Sequence, residues 1–258
     1  MQIATWNVNS ARARQDRIVE FLQRTKVDVL AMQEIKCKPE QFPYEAFEAI
    51  GYKVLAHGLN QWNGVAFAYR EDLVPEDVET SFDQQPEFKD VQEARAIGAT
   101  FNGVRVWSIY VPNGRELDDP HMQYKLEFLD RLAATMAEQL EINPSLEIAL
   151  VGDFNVAPLD EDVYDLSMFE THVSQPERDA FEAFAQIGLT DKVRELVPNA
   201  YTYWDYKELC FPKNNGMRID FMLTSEALTD RITAATIERD ERKGELPSDH
   251  VPVILTII

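Results

Sequence analysis

The sequence has only two cysteines, Cys37 and Cys210, among 258 residues. Two thiols this far apart in the chain argue against a disulfide framework and against a cysteine-based zinc site. The N-terminus also lacks the charged segment, apolar run and small-residue cleavage site of an export signal. No uninterrupted apolar run approaches the ~18 residues of a membrane helix. We therefore expect a cytoplasmic protein with reduced thiols and no membrane partner.

Basic residues are scarce: 25 Lys and Arg stand against 45 Asp and Glu, for a net charge of −20. The excess acid lies in the middle of the chain. Residues 1–40 carry seven basic and five acidic side chains, residues 41–200 carry 11 and 30, and residues 201–258 carry seven and ten. Proteins that bind nucleic acids usually present a basic face. This composition argues against tight non-specific DNA binding, but it leaves room for basic surface near both chain ends.

Several catalytic motifs are also missing. The ten glycines form no Walker-type phosphate loop and no G-x-S-x-G elbow, and the sequence contains no H-E-x-x-H pair. Nucleotide hydrolysis through a P-loop, serine esterase chemistry and zincin-type proteolysis are therefore not supported.

The chain shows no low-complexity linker, internal repeat or break in composition, so we predict one domain over residues 1–258. Ten short runs have strand composition: IATWNV, VDVLAMQ, YKVLAH, GVAFAY, AIGATF, VRVWSIYV, EIALVG, RIDFML, AATIER and VPVILTI. Several are almost wholly apolar, which is typical of strands covered on both faces, whereas residues 104–109 alternate as a half-buried strand would.

Helical periodicity lies between these runs. We predict helices from about His121 to Glu141, from Pro176 to near Gly188, and from about Asp16 to Arg24. Many strands and a few helices in one continuous chain favour a mixed α/β (α+β) fold with packed sheets.

Polar residues repeatedly stand at or just beyond the ends of the apolar runs. A set of such residues is what an active site at one edge of packed sheets requires. They are Asn7 and Asn9, Glu34, Tyr110 and Asn113, Asp153 and Asn155, Asp220, and Asp249 with His250.

Each of these residues also has an ordinary structural explanation. Gly152 to Asn155 is turn chemistry, Glu34 fits a surface position, and Asn7 fits a side chain bonded to its own backbone. Tyr110 fits a packing residue, and His250 a structural loop histidine. Asp220 is harder to dismiss, because an unpaired carboxylate is costly to bury; we expect Arg218, two residues earlier, on the same face. The conjunction carries more weight than any single residue.

Glu34, Asp153, Asp220 and Asp249 together place four carboxylates near few basic residues. Such a cluster is stable when it binds a divalent cation or keeps some members protonated. Oxygen ligands favour Mg²⁺, with Mn²⁺ as a substitute, over Zn²⁺. A hard cation, a carboxylate that activates water, and His, Asn and Tyr donors for phosphate oxygens predict a phosphodiester hydrolase.

The motifs ATWNVNS, AMQEIK, NGVAFAYR, YVPNG, VGDFNVAP, TYWDY, MRIDFML and PSDHVPV, in this order, resemble the exonuclease III and abasic-endonuclease family of the endonuclease/exonuclease/phosphatase superfamily. The resemblance implies a DNase I-like four-layer sandwich of two packed mixed sheets flanked by helices. It also implies incision 5′ to abasic sites, 3′-to-5′ exonuclease and 3′-phosphatase activities. The implied partner is double-stranded DNA with abasic sites or blocked 3′ ends, bound by a monomer.

The resemblance also assigns roles to individual residues. Glu34 is the principal metal ligand with Asn7 close by, and the wider metal set includes Asp153, Asn155, Asp249 and His250. Asp153 is the acid–base group oriented by Asn155, which also contacts the scissile phosphate. His250, polarised by Asp249, binds a phosphate oxygen, while Tyr110 stabilises the phosphate or leaving oxygen and Asp220 holds the network in register. Substrate-binding positions are Asn113, Tyr203, Trp204, Met217, Arg218 and Ile219.

The resemblance also implies an apolar pocket for a sugar that lacks its base, formed by Tyr203, Met217 and Ile219, and the sequence departs from relatives there. Relatives often carry a large aromatic residue just before the RID segment, where this chain has Met217, and the aromatic residue of TYW is Tyr203. The balance between abasic incision and exonuclease activity therefore stays open. The alternative functions are a phosphatase of a phosphoinositide or other small phosphoester, and an inactive scaffold that retains the fold for binding.

Overall fold

The computed structural model describes residues 1–258 and contains 12 β-strands. The strands are Gln2–Asn7 (β1), Val29–Gln33 (β2), Tyr52–His57 (β3), Val65–Arg70 (β4), Glu76–Glu79 (β5), Ala96–Phe101 (β6), Val104–Tyr110 (β7), Ile148–Asp153 (β8), Leu189–Asp191 (β9), Asp220–Ser225 (β10), Ile232–Ile237 (β11) and Val253–Ile257 (β12).

Seven α-helices accompany the strands. They are Gln15–Thr25 (α1), Tyr44–Glu48 (α2), Pro120–Ile142 (α3), Gln175–Gln186 (α4), Lys192–Leu196 (α5), Cys210–Lys213 (α6) and Glu226–Thr229 (α7). The three predicted helices are confirmed as α1, α3 and α4. Helix α3 begins where the Asp119 carboxylate accepts the His121 N–H at 2.8 Å, with Pro120 in the first turn. None of the helices has the length and apolar character needed to cross a membrane.

The strands form two six-stranded mixed sheets. The first has the order β11-β12-β1-β2-β4-β3 and the second β5-β6-β7-β8-β10-β9. Each sheet has one parallel pair at its centre, β1 with β2 and β7 with β8. Parallel strands end at the same edge of a sheet. The residues that follow β1 and β2 therefore lie side by side, and so do the residues that follow β7 and β8.

Three apolar layers hold the sheets and helices together. The central layer fills the space between the sheets and includes Phe67 from the first and Val106 from the second. Helices α1 and α2 cover the outer face of the first sheet, where Phe21 packs against Trp6. Helices α3 and α4 cover the second sheet. The result is the predicted four-layer sandwich, which confirms the fold class.

All ten predicted strands are present, but β5 and β9 were not predicted. Both lie at sheet edges; β5 is exposed along its whole length and β9 has three residues. Their strand geometry comes from pairing with a neighbour and leaves no hydrophobic pattern in the sequence.

The expected half-exposed alternation in β7 was wrong, because the strand is buried on both faces until Tyr110. The polar side chains that suggested alternation have protein partners instead. Arg105 bonds Glu79 and the Asp77 carbonyl, and its guanidinium lies 4.6 Å from the Trp107 ring centroid. Ser108 donates to the Met32 carbonyl of the facing sheet at 3.0 Å. The alternating polar residues of β7 are therefore buried and hydrogen-bonded within the protein, and they do not mark a face exposed to solvent.

Candidate active site

Three adjacent strands of the second sheet carry their polar side chains at the same level. Asp153, the last residue of β8, is in register with Tyr110 on β7 and with Asp220 on β10. Gly152 precedes it with φ +147°, and a Cβ there would lie 1.9 Å from the Ile109 carbonyl oxygen. Only glycine permits this close approach of the two strands beside the site.

His250 joins the two carboxylates of this row. Its Nδ1 lies 2.8 Å from Asp220 Oδ2, and its Nε2 lies 3.6 Å from Asp153 Oδ2. The Thr202 hydroxyl donates to the same Asp220 oxygen at 2.6 Å. The three side chains are almost completely buried. The sequence assigned the polarising carboxylate to Asp249, but the carboxylate bonded to the imidazole is Asp220, and Asp249 acts on His250 only through its charge.

The protonation of this group follows from its burial. Removal from water raises the pKa of Asp153 to about 7, with the Asp220 charge also raising it and His250 and Asn7 opposing. Burial alone would lower the pKa of His250, but the carboxylates of Asp220 and Asp153 raise it to about 10. At neutral pH the metal-free protein therefore holds His250 as an imidazolium between the carboxyl groups of Asp220 and Asp153, and the Asp153 carboxyl titrates near neutrality.

Glu34 and Asn7 form the facing side of the site, on the first sheet. The Asn7 amide Nδ2 donates to Glu34 Oε1 and to Asp153 Oδ2, both at 2.9 Å. Its Oδ1 accepts the Asn9 N–H at 3.1 Å, which fixes the orientation of the amide. An NH₂ group is a donor and does not ligate a cation. In this structure Asn7 therefore connects the two carboxylates across the sheets and does not itself offer a metal-ligating atom to the site.

Lys36 is a site residue that the sequence did not reveal. Its ammonium lies 2.9 Å from Glu34 Oε2 and donates to Asn9 Oδ1 at 2.6 Å. Burial would raise the pKa of Glu34, but Lys36 and the Asn7 hydrogen bond bring it below the ordinary value. Glu34 is therefore ionised and ready to receive a cation.

Glu34, Asp153 and His250 offer ligand atoms that all lie within 4.8 Å of one another. Two carboxylates at this separation fit a hard divalent cation such as Mg²⁺, since that ion takes one or two protein carboxylates and keeps waters. Glu34 and Asp153 would hold the ion, while the protonated His250 has no free lone pair to offer it. A divalent cation bound there would supply positive charge to a phosphate oxygen and activate water.

Several non-glycine residues around the site adopt left-handed backbone conformations. Such conformations are strained and persist where the surrounding structure imposes them, often at functional sites. Four of the five residues lie in the loops after β1 and β2, which are joined by the Ser10 N–H donating to the Glu34 carbonyl at 2.7 Å. The residues are Asn9 (φ 44°), Ser10 (88°), Glu34 (50°), Lys36 (53°) and Asn155 (51°).

Asn155 and Asn113 bond each other beside the site. Asn113 Nδ2 donates to Asn155 Oδ1 at 3.3 Å, and Asn155 Nδ2 donates to the Val111 carbonyl at 2.9 Å. The backbone N–H of Asn155 donates to Asp153 Oδ1 at 2.9 Å. Asn155 therefore orients Asp153, as expected, but through its backbone rather than its side chain.

Two further predicted residues, Tyr110 and Asp249, lie beside the group. The Arg95 guanidinium stacks 4.8 Å from the Tyr110 ring centroid. Burial and the Glu34 charge raise the pKa of Tyr110 well above its ordinary value, so its hydroxyl stays protonated. Asp249 Oδ1 accepts Asn9 Nδ2 at 3.1 Å and has no bond to His250. Asn9 belongs to the polar residues that the strand-end pattern indicated, whereas Arg95 was not assigned by sequence pattern.

A cavity of about 440 Å³ adjoins the site, lined partly by Tyr203 and Met217. Tyr203 connects it to the catalytic group, because its ring centroid lies 4.9 Å from that of His250. His172, which was not predicted, also lines the cavity and bonds the Asn155 carbonyl through Nδ1 at 2.6 Å. Burial lowers the pKa of His172 to about 4, so this ring is neutral.

Three predicted substrate-binding side chains are buried away from the cavity. Trp204 is 1% exposed under Phe211, Arg218 is 2% exposed, and Ile219 is 2% exposed in an apolar cluster with Met217. None of them offers surface for a substrate in this structure. Arg218, expected on the same face as Asp220, has Asp191 as its carboxylate partner, at 3.0 Å.

Comparisons with known proteins agree with this geometry. Residues 4–250 match the model of the endonuclease/exonuclease/phosphatase family. Exodeoxyribonuclease III of Haemophilus influenzae is 30% identical over 98% of both chains, and the exodeoxyribonuclease of Bacillus subtilis is 29% identical over 100% of this chain and 99% of its own.

Solved structures show the same relationship. A 3′ phosphatase from Neisseria, bound to a product DNA hairpin, superposes with a TM-score of 0.93 at 34% identity, covering 100% of this chain and 99% of its own. An AP endonuclease from Archaeoglobus fulgidus gives 0.91 at 33% identity with the same coverage. The chain therefore belongs to the exonuclease III and AP endonuclease family of nucleases, within the endonuclease/exonuclease/phosphatase superfamily.

Proposed function

We propose that this protein is a Mg²⁺-dependent DNA-repair phosphodiesterase. Its substrate is duplex DNA, which it incises 5′ to abasic sites and trims from the 3′ end as an exonuclease and 3′ phosphatase. The observation that carries the proposal is the Asp153–His250–Asp220 group facing Glu34. It combines a carboxylate that titrates near neutrality, a buried imidazolium and a second carboxylate suited to a cation.

Each residue then has a task for which its surroundings suit it. Glu34 and Asp153 would hold Mg²⁺, and the ionised Asp153 carboxylate accepts a proton from the attacking water. His250 donates from Nε2 to a phosphate oxygen, since Asp220 keeps its Nδ1 bonded. The neutral Tyr110 hydroxyl donates to the phosphate or leaving oxygen as charge develops there.

The choice of DNA rests on the relatives and on the open cavity beside the site. The relatives include a 3′ phosphatase, a 3′-to-5′ exonuclease and an AP endonuclease, at 33–34% identity over the whole chain. We propose that residues 1–258 act as one domain, because β1 and β12 from the two chain ends are paired. We also propose a monomer, because every residue of the group comes from one chain.

The test compares four labelled substrates at equal Mg²⁺. Three are duplexes, carrying an internal abasic analogue, a recessed 3′ hydroxyl or a 3′ phosphate, and the fourth is a phosphoinositide. We expect turnover of the duplexes that EDTA abolishes, and their relative rates rank the three activities. Turnover of the phosphoinositide alone would support the small-phosphoester alternative. Binding of duplex without any turnover would support the inactive scaffold.

A further inference from the structure

A fully buried ion pair lies behind the site, outside the catalytic group. Lys125 on α3 bonds Glu177 on α4, and both side chains have 0% exposure. Burying two charges removes favourable hydration that their mutual attraction rarely exceeds, so the ion pair taken by itself adds little to stability. The reason for this pair therefore lies in its other contacts.

The Lys125 ammonium uses all three of its N–H donors. One donates to Glu177 Oε1, a second to the Asn155 carbonyl at 2.6 Å, and a third to the Asn113 carbonyl at 3.1 Å. These two carbonyls belong to the loops that follow β7 and β8. An apolar side chain at position 125 would leave both of them without this donor.

The bond to Asn155 reaches the catalytic group in one further step. Asn155 adopts a left-handed backbone, φ 51°, and its own N–H holds Asp153 Oδ1 at 2.9 Å. A hydrogen bond that holds the Asn155 carbonyl also restrains the neighbouring peptide planes, including the one that carries the Asn155 N–H. Its side chain also accepts from Asn113, so the two loops that Lys125 bonds are bonded to each other.

Glu177 holds a third segment in the same arrangement. Its Oε1 accepts the His172 N–H at 3.0 Å, and its Oε2 accepts the Ser174 N–H at 3.2 Å and hydroxyl at 2.6 Å. His172 in turn provides the second donor to the Asn155 carbonyl. One buried pair thus joins three loops beside the cleft to two helices of the outer layer.

We propose that Lys125, paired with Glu177, is a positioning residue for the reaction: it fixes the Asn113 and Asn155 loops so that Asp153 and the phosphate-binding groups keep their geometry. This inference rests on the proposed nuclease function for its kinetic consequence, but the structural consequence is independent of it.

The experiment compares Lys125→Met, Glu177→Met and the double variant. Each single variant leaves one buried charge unpaired and should have a lowered Tm. The double variant should regain part of it because both charges are gone, although the loop carbonyls and the α4 capping box still lack their partners. We expect kcat on the abasic duplex, at saturating DNA and Mg²⁺, to stay about tenfold or more below wild type in the double variant. A purely structural pair would instead let kcat recover together with Tm.

Amide hydrogen exchange provides a readout that needs no turnover. In the double variant, exchange should increase at residues 111–116 and 153–157 and remain unchanged in β1 and β2. The matched control is Arg105→Met, which removes a buried cation at the opposite end of β7. It should lower Tm with wild-type kcat and unchanged exchange in both loops.

Wild-type kcat in a double variant with restored Tm would overturn the proposal, as would unchanged loop exchange. If the double variant does not fold, amide exchange is measured on Lys125→Met alone at low temperature. Increased exchange at residues 111–116 and 153–157 supports the proposal, and unchanged exchange overturns it. If wild type cleaves no duplex at all, the proposed function fails, while the exchange data still judge the positioning role.

Discussion

The Asp153 carboxylate accepts two hydrogen bonds, and the groups around it differ in which protonation state they favour. Asn7 and the Asn155 N–H stabilise the carboxylate, while burial and the nearby Asp220 favour the neutral acid. The resulting pKa near 7 means that a small change in surroundings decides whether this oxygen carries a proton or a cation. Catalysis at neutral pH requires such a balance in an acid–base group.

The first prediction concerns the pH dependence of stability without metal. The fold raises the pKa of Asp153 from 3.8 to about 7, so its stabilising contribution is complete below pH 3.8 and is lost as pH rises to 7. The fold raises the pKa of His250 from 6.5 to about 10, so that contribution is complete below pH 6.5 and is lost by pH 10. In EDTA, the Tm should therefore fall as pH rises from 6 to 9.

The control for this measurement is His250→Asn, which removes the titrating ring and should flatten the decline above pH 7. Adding Mg²⁺ should raise the Tm more at pH 8 than at pH 6, because the ion competes with the Asp153 proton. A metal-free Tm that rises with pH in wild type would contradict the protonation states inferred for the pair.

The second prediction concerns the coupling of Asp153 and His250. Asp153→Asn and His250→Ala should each lower kcat on the order of 10²-fold or more, as loss of an acid–base group or oxyanion donor does. Because the two side chains face each other at 3.6 Å, the double variant should lose far less than the product. Multiplicative losses, measured on folded protein at saturating Mg²⁺, would show that they act independently.

The third prediction concerns Glu34 as a metal ligand. Glu34→Gln should raise the Mg²⁺ concentration for half-maximal rate and lower the maximum, because a neutral amide attracts the ion less. The matched control is Glu40→Gln, an exposed acid six residues later, which should leave the Mg²⁺ titration unchanged. An unaltered titration in folded Glu34→Gln would remove Glu34 from the metal site.

At the scale of elements, hydrophobic runs predicted the buried strands and periodicity predicted the three long helices. Local pattern was sufficient there because burial dictates composition along each element. It was insufficient for β5 and β9, whose pairing depends on a neighbour. The gathering of polar residues at one edge was also predictable, since it follows from strand ends.

The partners within the site were less predictable than its members. Asp249 adjoins His250 in the chain, yet Asp220, 30 residues away, holds the ring. Arg218 was expected on the same face as Asp220, and its carboxylate partner is Asp191 on the neighbouring strand β9. Arg95 and Lys125 contribute charge through contacts with Tyr110 and Glu177, which lie in distant segments of the chain. Such pairings are set by the packing of elements, which the sequence of any one segment does not contain.

The fourth prediction tests the segment that joins the cavity to the site. The Tyr203 backbone pairs with both Met217 and His250, and its ring lines the cavity. We propose that the cavity accepts a sugar without a base, swung out of the duplex at a cost of a few kcal/mol. Tyr203→Ala should then slow abasic incision more than release of a 3′ phosphate, which needs no extrusion.

Both activities are measured on one folded preparation of Tyr203→Ala. Tyr201→Ala serves as the control, because Tyr201 packs against Trp204 and does not line the cavity. It should affect the two activities equally. Parallel losses in Tyr203→Ala, accompanied by a lower Tm, would identify Tyr203 as a packing residue and refute the sugar pocket.

At the scale of the whole molecule, the net charge of −20 opposes the approach of DNA, itself a polyanion. The ends of the chain, which are less acidic than its middle, supply Asn7, Glu34, Asp249 and His250 to the site. Much of the acidic excess belongs to residues 41–200, which include the edge strand β5 and the long helix α3. The geometry of the site depends on local contacts, whereas the negative field of the whole molecule acts at long range and disfavours non-specific binding of DNA.

The fifth prediction measures that field with three exposed acids that have no ion-pair partner, Glu71, Glu76 and Glu141. Glu141 lies 16 residues beyond Lys125 on α3, roughly 24 Å further along the helix. Replacing all three by Gln should lower KM for duplex about twofold at low salt, because screening extends over ~30 Å at 0.01 M but only ~10 Å at 0.1 M. The effect should vanish at high salt while kcat stays constant.

The control variants carry charge-conserving Glu→Asp changes at the same three positions, which should leave KM unchanged. A change in KM that does not depend on salt would mean that these side chains touch DNA.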